Sequence, residues 1–309
     1  MHSKPFKISV IGAGNVGATT AMLLMQKGYE VALLDLNYSV AQGKALDLSQ
    51  MGSESLVYAV KDYSGITGSQ VVVVTAGLPR KPGSSREELL KTNGDIIHQV
   101  AQQIRQYAPE AFVVVVTNPL DVMAYHMYKS SGIRHQKVVG MAGTLDCRRF
   151  NYFLAQATGA AVADIKSTII GSHGDTMLPL VHHSSIAGIS IASLKEMEVI
   201  SDATLHDVIT STKRGGAQIV ELLSAGSAYY APAASIVEIV DSYLYNQQKI
   251  LCCSVYVDKQ MNCEDVYIGL PVVIGANGVE RIMELTLTSD EQKEFANSVA
   301  VAKSLINIL

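Results

Sequence analysis

Through its first half the chain alternates short runs rich in β-branched residues with longer stretches of helical spacing. The segments KISVIG (7–12), EVALLD (30–35), LVYAV (56–60), QVVVVTA (70–76), AFVVVVT (111–117) and KVVG (137–140) read as strands, several apolar enough to be covered on both faces. Between them, 15–27, 38–50, 87–107 and 119–131 have the length and periodicity of helices. Strands that alternate with helices predict a doubly wound parallel sheet of the Rossmann type, covered by helices on both sides.

After about residue 145 the pattern changes. A helix is expected over 146–158, a strand near 164–170, a long helix near 203–227 and a second helix after Pro232. Two strand-like runs, KILCCSVYV and VYIGLPVVIG, and a final helix near 289–307 complete the chain. This mixed order predicts an α+β second domain, and we expect the division as 1–145 and 146–309. No Pro- or Ser-rich linker marks the boundary, and no internal repeat is present.

Composition narrows the partners. With 309 residues, 48% of them hydrophobic and 17% charged, the chain is long enough for a large core and too apolar for a disordered one. The net charge of −4 supplies no basic field for nucleic acid or an anionic membrane, and no apolar run approaches the roughly 20 residues of a membrane span. The N-terminus enters a strand without a signal-peptide pattern, so a cytoplasmic location is expected. Cys147, Cys252, Cys253 and Cys263 form no CxxC pair or disulfide framework, and reduced thiols are expected.

The turn Gly12-Ala13-Gly14-Asn15-Val16-Gly17 follows a strand and opens a helix, and Asp35 stands 18 residues beyond Gly17 at the end of the next strand. That context turns a weak motif into a dinucleotide site. Gly12 allows the tight turn, Gly14 the approach of a pyrophosphate, and Gly17 close packing of helix on strand. A carboxylate at Asp35 accepts hydrogen bonds from a ribose and repels a 2′-phosphate, which favours NAD over NADP.

His173 lies between glycines in Gly171-Ser172-His173-Gly174-Asp175, directly after a strand, so its ring is expected to be open to a ligand. Asp146 and Arg149 are three apart at a helix start and share a face. Read alone, such a histidine is more often structural than catalytic, and such an Asp–Arg pair is an ordinary surface ion pair. The Tyr125…Lys129 pair imitates a short-chain dehydrogenase, but the glycine spacing does not. Adjacent His182 and His183 lack the spacing of a helical zinc site, and no metal is expected.

Six motifs in order, GAGNVGATTA, AGLPRKPGSSREELL, TNPLDVM, MAGTLDCRRF, GSHGDTMLPL and GSAYYAPAA, together resemble the lactate and malate dehydrogenase family, most nearly its lactate-dehydrogenase-like malate dehydrogenases. The resemblance runs on through PVVIGANGVERI to the end of the chain.

It implies a small-molecule substrate, malate or oxaloacetate, with a lactate or other 2-hydroxyacid dehydrogenase as the alternative. Within the loop GLPRKPGSSR, Arg80 is expected to bind the distal carboxylate and Arg86 to polarise the reacting oxygen. Arg149 is expected to hold the C1 carboxylate, and Asn118 to contact substrate and cofactor. His173 is expected as the acid–base group, with Asp146 behind it. The family also implies Asn15, Val16, Asn93 and Thr117 at the cofactor, and a homo-oligomer, tetramer favoured and dimer possible. Cys147 departs from the small residue, such as serine, usual after the aspartate, and sensitivity to thiol reagents is the expected consequence.

Overall fold

The computed structural model describes residues 5–52, 56–79, 86–224 and 226–309. Its first half runs β1 (Lys7–Ile11), α1 (Asn15–Gln26), β2 (Glu30–Leu34), α2 (Tyr38–Ser49), β3 (Val57–Val60), β4 (Val71–Val74), α3 (Arg86–Tyr107), β5 (Phe112–Val115), α4 (Leu120–Ser131) and β6 (Val138–Gly140). α5 (Gly143–Thr158) leads to the short strands β7 (Ile165–Lys166), β8 (Ile169–Ile170), β9 (Leu178–Pro179), β10 (Ser185–Ile186) and β11 (Ile189–Ser190). The chain ends with α6 (Ile191–Glu196), α7 (Asp202–Leu223), α8 (Tyr230–Leu244), β12 (Lys249–Asp258), β13 (Glu264–Gly275), β14 (Gly278–Ile282) and α9 (Ser289–Ile306).

The main sheet has nine strands in the order β14-β13-β12-β6-β5-β4-β1-β2-β3. Its six first-half strands are all parallel. The order reverses between β1 and β4, and in an open parallel sheet a ligand crevice forms outside the strand C-termini at such a point. β4 is four valines, all buried, and their alternation sends Val71 and Val73 to one core and Val72 and Val74 to the other. Both faces of this strand are therefore covered, which is why its sequence does not alternate with polar residues.

Several boundaries differ from the sequence reading. α5 begins at Gly143, three residues before Asp146, so the aspartate already stands inside the helix. The expected strand near 164–170 is broken into β7 and β8, which pair with different partners. The helix expected after Pro232 begins at Tyr230, because a first-turn proline lacks only an N–H that has no partner there. The long helix ends at Leu223.

β12, β13 and β14 do not form a separate sheet. They join the main one, antiparallel, through Ser254 opposite Gly140. Their apolar runs need cover on both faces, and the edge of β6 offers unpaired backbone for them. The second half adds its own core of Phe150, Leu154, Ile165, Ile169, Ile191 and Leu205 between α5 and the short strands.

Candidate active site

The glycine turn leaves β1 with Gly12 at φ +104°, a left-handed conformation that disfavours a side chain. A Cβ on Gly17 would stand 1.9 Å from the carbonyl oxygen of Gly12, whereas one on Gly14 would meet nothing within 4 Å. Two glycines therefore close the turn, and the middle one keeps space open in front of it. α1 has no capping side chain and no acidic residue in its first turn, so its end amides remain available to an anion.

Asp35 completes this pole: Oδ2 accepts the Ala13 N–H at 2.7 Å and Oδ1 the Asn37 N–H at 2.9 Å. A carboxylate has about four lone-pair positions, so acceptor capacity remains for a sugar hydroxyl. These residues fit a dinucleotide on their own geometry.

At the far end of the crevice, the loop after β8 carries His173. Its Nδ1 lies 2.9 Å from Asp146 Oδ2, and Arg149 Nη1 lies 3.4 Å from Asp146 Oδ1. Asp146 is buried, while the His173 and Arg149 side chains retain 19% and 14% exposure toward the cavity. Burial pulls the His173 pKa down, but the charge and hydrogen bond of Asp146 outweigh it, and the net shift is upward. Burial lowers the pKa of Arg149, opposed by Asp146. The arrangement stabilises an imidazolium and leaves Nε2 without a hydrogen-bond partner among the described residues.

A cavity of about 270 Å³ extends from Val16 at the start of α1 to His173 and Arg149, and Asn118, Gly216 and Pro232 also line it. Expected residues thus converge from β1–α1, the β5–α4 connection, α5 and the β8 loop. Thr117 is buried and donates to the carbonyl of Ala76 at 2.6 Å, joining the ends of β5 and β4. Asn93 is also buried: it bonds both the N–H and the carbonyl of Leu78, and donates to the carbonyl of Asn118 at 2.7 Å. Through these backbone contacts the two side chains tie together the segments that follow β4 and β5. Arg80, Lys81 and the side chain of Arg86 lie outside the described residues.

Two features escaped the sequence reading. Gly215 and Gly216, inside α7, lie against the Arg149 side chain, where a Cβ on Gly216 would come within 3.3 Å of Nη2. Adjacent glycines inside a helix cost about 1 kcal/mol each relative to alanine, and that cost was the available signal. The second is Asp121, a fully buried carboxylate beneath His173, which accepts from Ser172 Oγ, the His173 N–H and Ser254 Oγ. Its signal was a lone charge in the apolar run after Pro119.

Both halves of the chain match known proteins. The family described as lactate/malate dehydrogenase, NAD binding domain, matches residues 6–140, and the corresponding alpha/beta C-terminal domain matches residues 143–308. A protein named malate dehydrogenase from Neorickettsia sennetsu is 47% identical over 307 residues, covering 97% of this chain and 98% of that one. Its namesake from Ehrlichia canis is 48% identical over 306 residues, with the same coverage.

Among solved structures, Cryptosporidium parvum malate dehydrogenase superposes with a TM-score of 0.95 at 40% identity, over 98% of both chains. The lactate dehydrogenase of the same organism, in complex with lactic acid and nicotinamide adenine dinucleotide, gives 0.95 at 37% identity over 99% of this chain and 98% of that one. With both halves of the chain matched, it belongs to the lactate/malate dehydrogenase family.

Proposed function

We propose that the protein interconverts (S)-malate and oxaloacetate with NAD, as a malate dehydrogenase. The observation that carries the chemistry is Asp146 standing between His173 and Arg149 at the wall of one cavity. NAD, when bound, supplies the hydride acceptor for the substrate carbon. In oxidation His173 Nε2 takes the hydroxyl proton, and in reduction it returns that proton to the carbonyl oxygen. Asp146 holds the ring by Nδ1 and offsets the charge the ring gains. Arg149, given room by the glycines of α7, offers a planar fork to the C1 carboxylate.

The choice of malate rests on the names of the bacterial relatives and on Arg80, a cation suited to a second carboxylate. A lactate dehydrogenase reading has one observation in its favour: solved lactate dehydrogenases superpose as well as malate dehydrogenases do. The fold is common to both, so the discriminating group is the side chain at position 80.

We infer self-association from apolar side chains displayed around α2, with Leu36 98% and Leu46 61% exposed. The functional test is initial rates with oxaloacetate under NADH and under NADPH. Turnover with a preference for NADH of at least ~tenfold is expected from Asp35, about 1.4 kcal/mol. Equal rates with the two cofactors contradict the role given to that carboxylate.

A further inference from the structure

We propose that Asp121 is a positioning residue for His173, a second buried carboxylate that holds the histidine by its backbone and lends its negative charge to the site. This rests on His173 being the acid–base group. Asp121 lies in the first turn of α4, where Oδ2 accepts the His173 N–H at 2.9 Å and the Ser172 hydroxyl at 2.7 Å, and Oδ1 accepts the Ser254 hydroxyl at 2.6 Å. Ser254 belongs to β12, so one side chain ties a first-half helix, the histidine turn and a second-half strand together. The turn is also pinned by Gly171, which exchanges two backbone hydrogen bonds with Gly269, and by the Ser172 N–H, which donates to Ser298 Oγ.

All three partners of Asp121 donate to it, and a carboxylate is the side chain that accepts from all of them without turning a donor toward another donor. No cation pairs with it among the described residues. A buried charge without a counter-ion is costly, and the titratable group acting on Asp121 is His173 itself, whose protonated form supplies the missing charge. From the other side, His173 experiences Asp146 and Arg149 from α5 and Asp121 from α4. Burial raises the Asp121 pKa against the pull of its donors, and Asp121 in turn adds to the upward shift of His173. Arg149 acts in the opposite sense on the ring, so two carboxylates against one guanidinium leave the imidazolium favoured.

The direct test is the titration of the His173 ring by NMR in the free protein, its resonance assigned by its loss in His173→Asn. Asp121→Asn is nearly isosteric. Its amide oxygen can keep the His173 N–H and the Ser172 hydroxyl, while the Ser254 hydroxyl rotates to accept from its NH₂, so the hydrogen bonds survive and the charge goes. The His173 titration should then move to lower pH by about half a unit or more, and the pH profile of malate oxidation should move with it. Ser254→Ala, which keeps the carboxylate, should leave the ring titration at its parental position. An unmoved ring titration in Asp121→Asn, or an equal shift in Ser254→Ala, overturns the inference.

A second measurement needs no variant: the carboxyl ¹³C shift of Asp121 in the parent should be that of an ionised group at neutral pH, and the shift of a protonated acid overturns the inference. If the ring titration moves in Asp121→Asn but the kinetic profile does not, the positioning role stands and the acid–base assignment of His173 fails.

Discussion

His173 and Asp146 meet across 2.9 Å, and the other oxygen of Asp146 faces Arg149 at 3.4 Å. One buried carboxylate therefore holds both the imidazole and the guanidinium. In Asp146→Asn the charge that outweighs burial is removed, so the His173 pKa should fall below its present raised position. Reduction needs the protonated ring, and its rate near neutral pH should drop by ~10²–10⁴-fold, while the pH limb for oxidation moves to lower pH. Rate profiles in both directions read this, and a profile identical to the parent contradicts it.

The same pair has a stability signature. Because the folded-state pKa of His173 is raised above its ordinary 6.5, the pair stabilises the fold fully below that value and loses this contribution as pH rises through the folded pKa. Urea titrations at pH values on both sides of this window should show the decline in the parent and its loss in Asp146→Asn. A decline of equal size in both proteins would rule out the pair as its source.

The glycine turn separates folding from binding. Gly17→Ala drives a Cβ against the Gly12 carbonyl and should destabilise the fold by roughly 1–3 kcal/mol. Gly14→Ala meets open space, so its melting temperature should stay near the parent while NADH binding, followed by fluorescence, is lost. Equal melting losses in the two variants, or parental NADH affinity in Gly14→Ala, would refute this division of roles.

Cys147 should react slowly. The neighbouring Cys252 thiol and then burial push its pKa well above the ordinary thiol value, so little thiolate exists at neutral pH. Alkylation by iodoacetamide, located by mass spectrometry, should still be accelerating above pH 9. A rate that levels off below pH 8 contradicts this environment. On this basis, the sensitivity to thiol reagents expected from the sequence should be seen only under alkaline conditions.

Periodicity made the parallel half of the fold legible, because the strands β1, β2, β4 and β5 are buried almost throughout and α3 between β4 and β5 is amphipathic. The second half was harder. Ser167 and Thr168 break what reads as one strand, and nothing in KILCCSVYV tells that it will pair with β6 instead of forming its own sheet. At the site, Asp146 and Arg149 were named from a motif, whereas Asp121 and the α7 glycines carry none that points to His173 or Arg149. Asn93 and Thr117, expected at the cofactor, also hydrogen-bond to the backbone of Leu78, Asn118 and Ala76. Asp121 and the Gly215–Gly216 pair depend on contacts distant in sequence, which spacing cannot reveal.

The substrate assignment turns on Arg80. Pyruvate has no second carboxylate, so a guanidinium committed to one would be left without its partner, whereas oxaloacetate provides it. The most direct measurement is kcat/KM for oxaloacetate and for pyruvate with NADH, in the parent and in Arg80→Gln. The parent should favour oxaloacetate by ~10⁴-fold or more, and Arg80→Gln should lose most of that ratio, with some gain on pyruvate. A parent that reduces pyruvate as well as oxaloacetate, or a ratio unchanged in Arg80→Gln, would contradict the malate assignment.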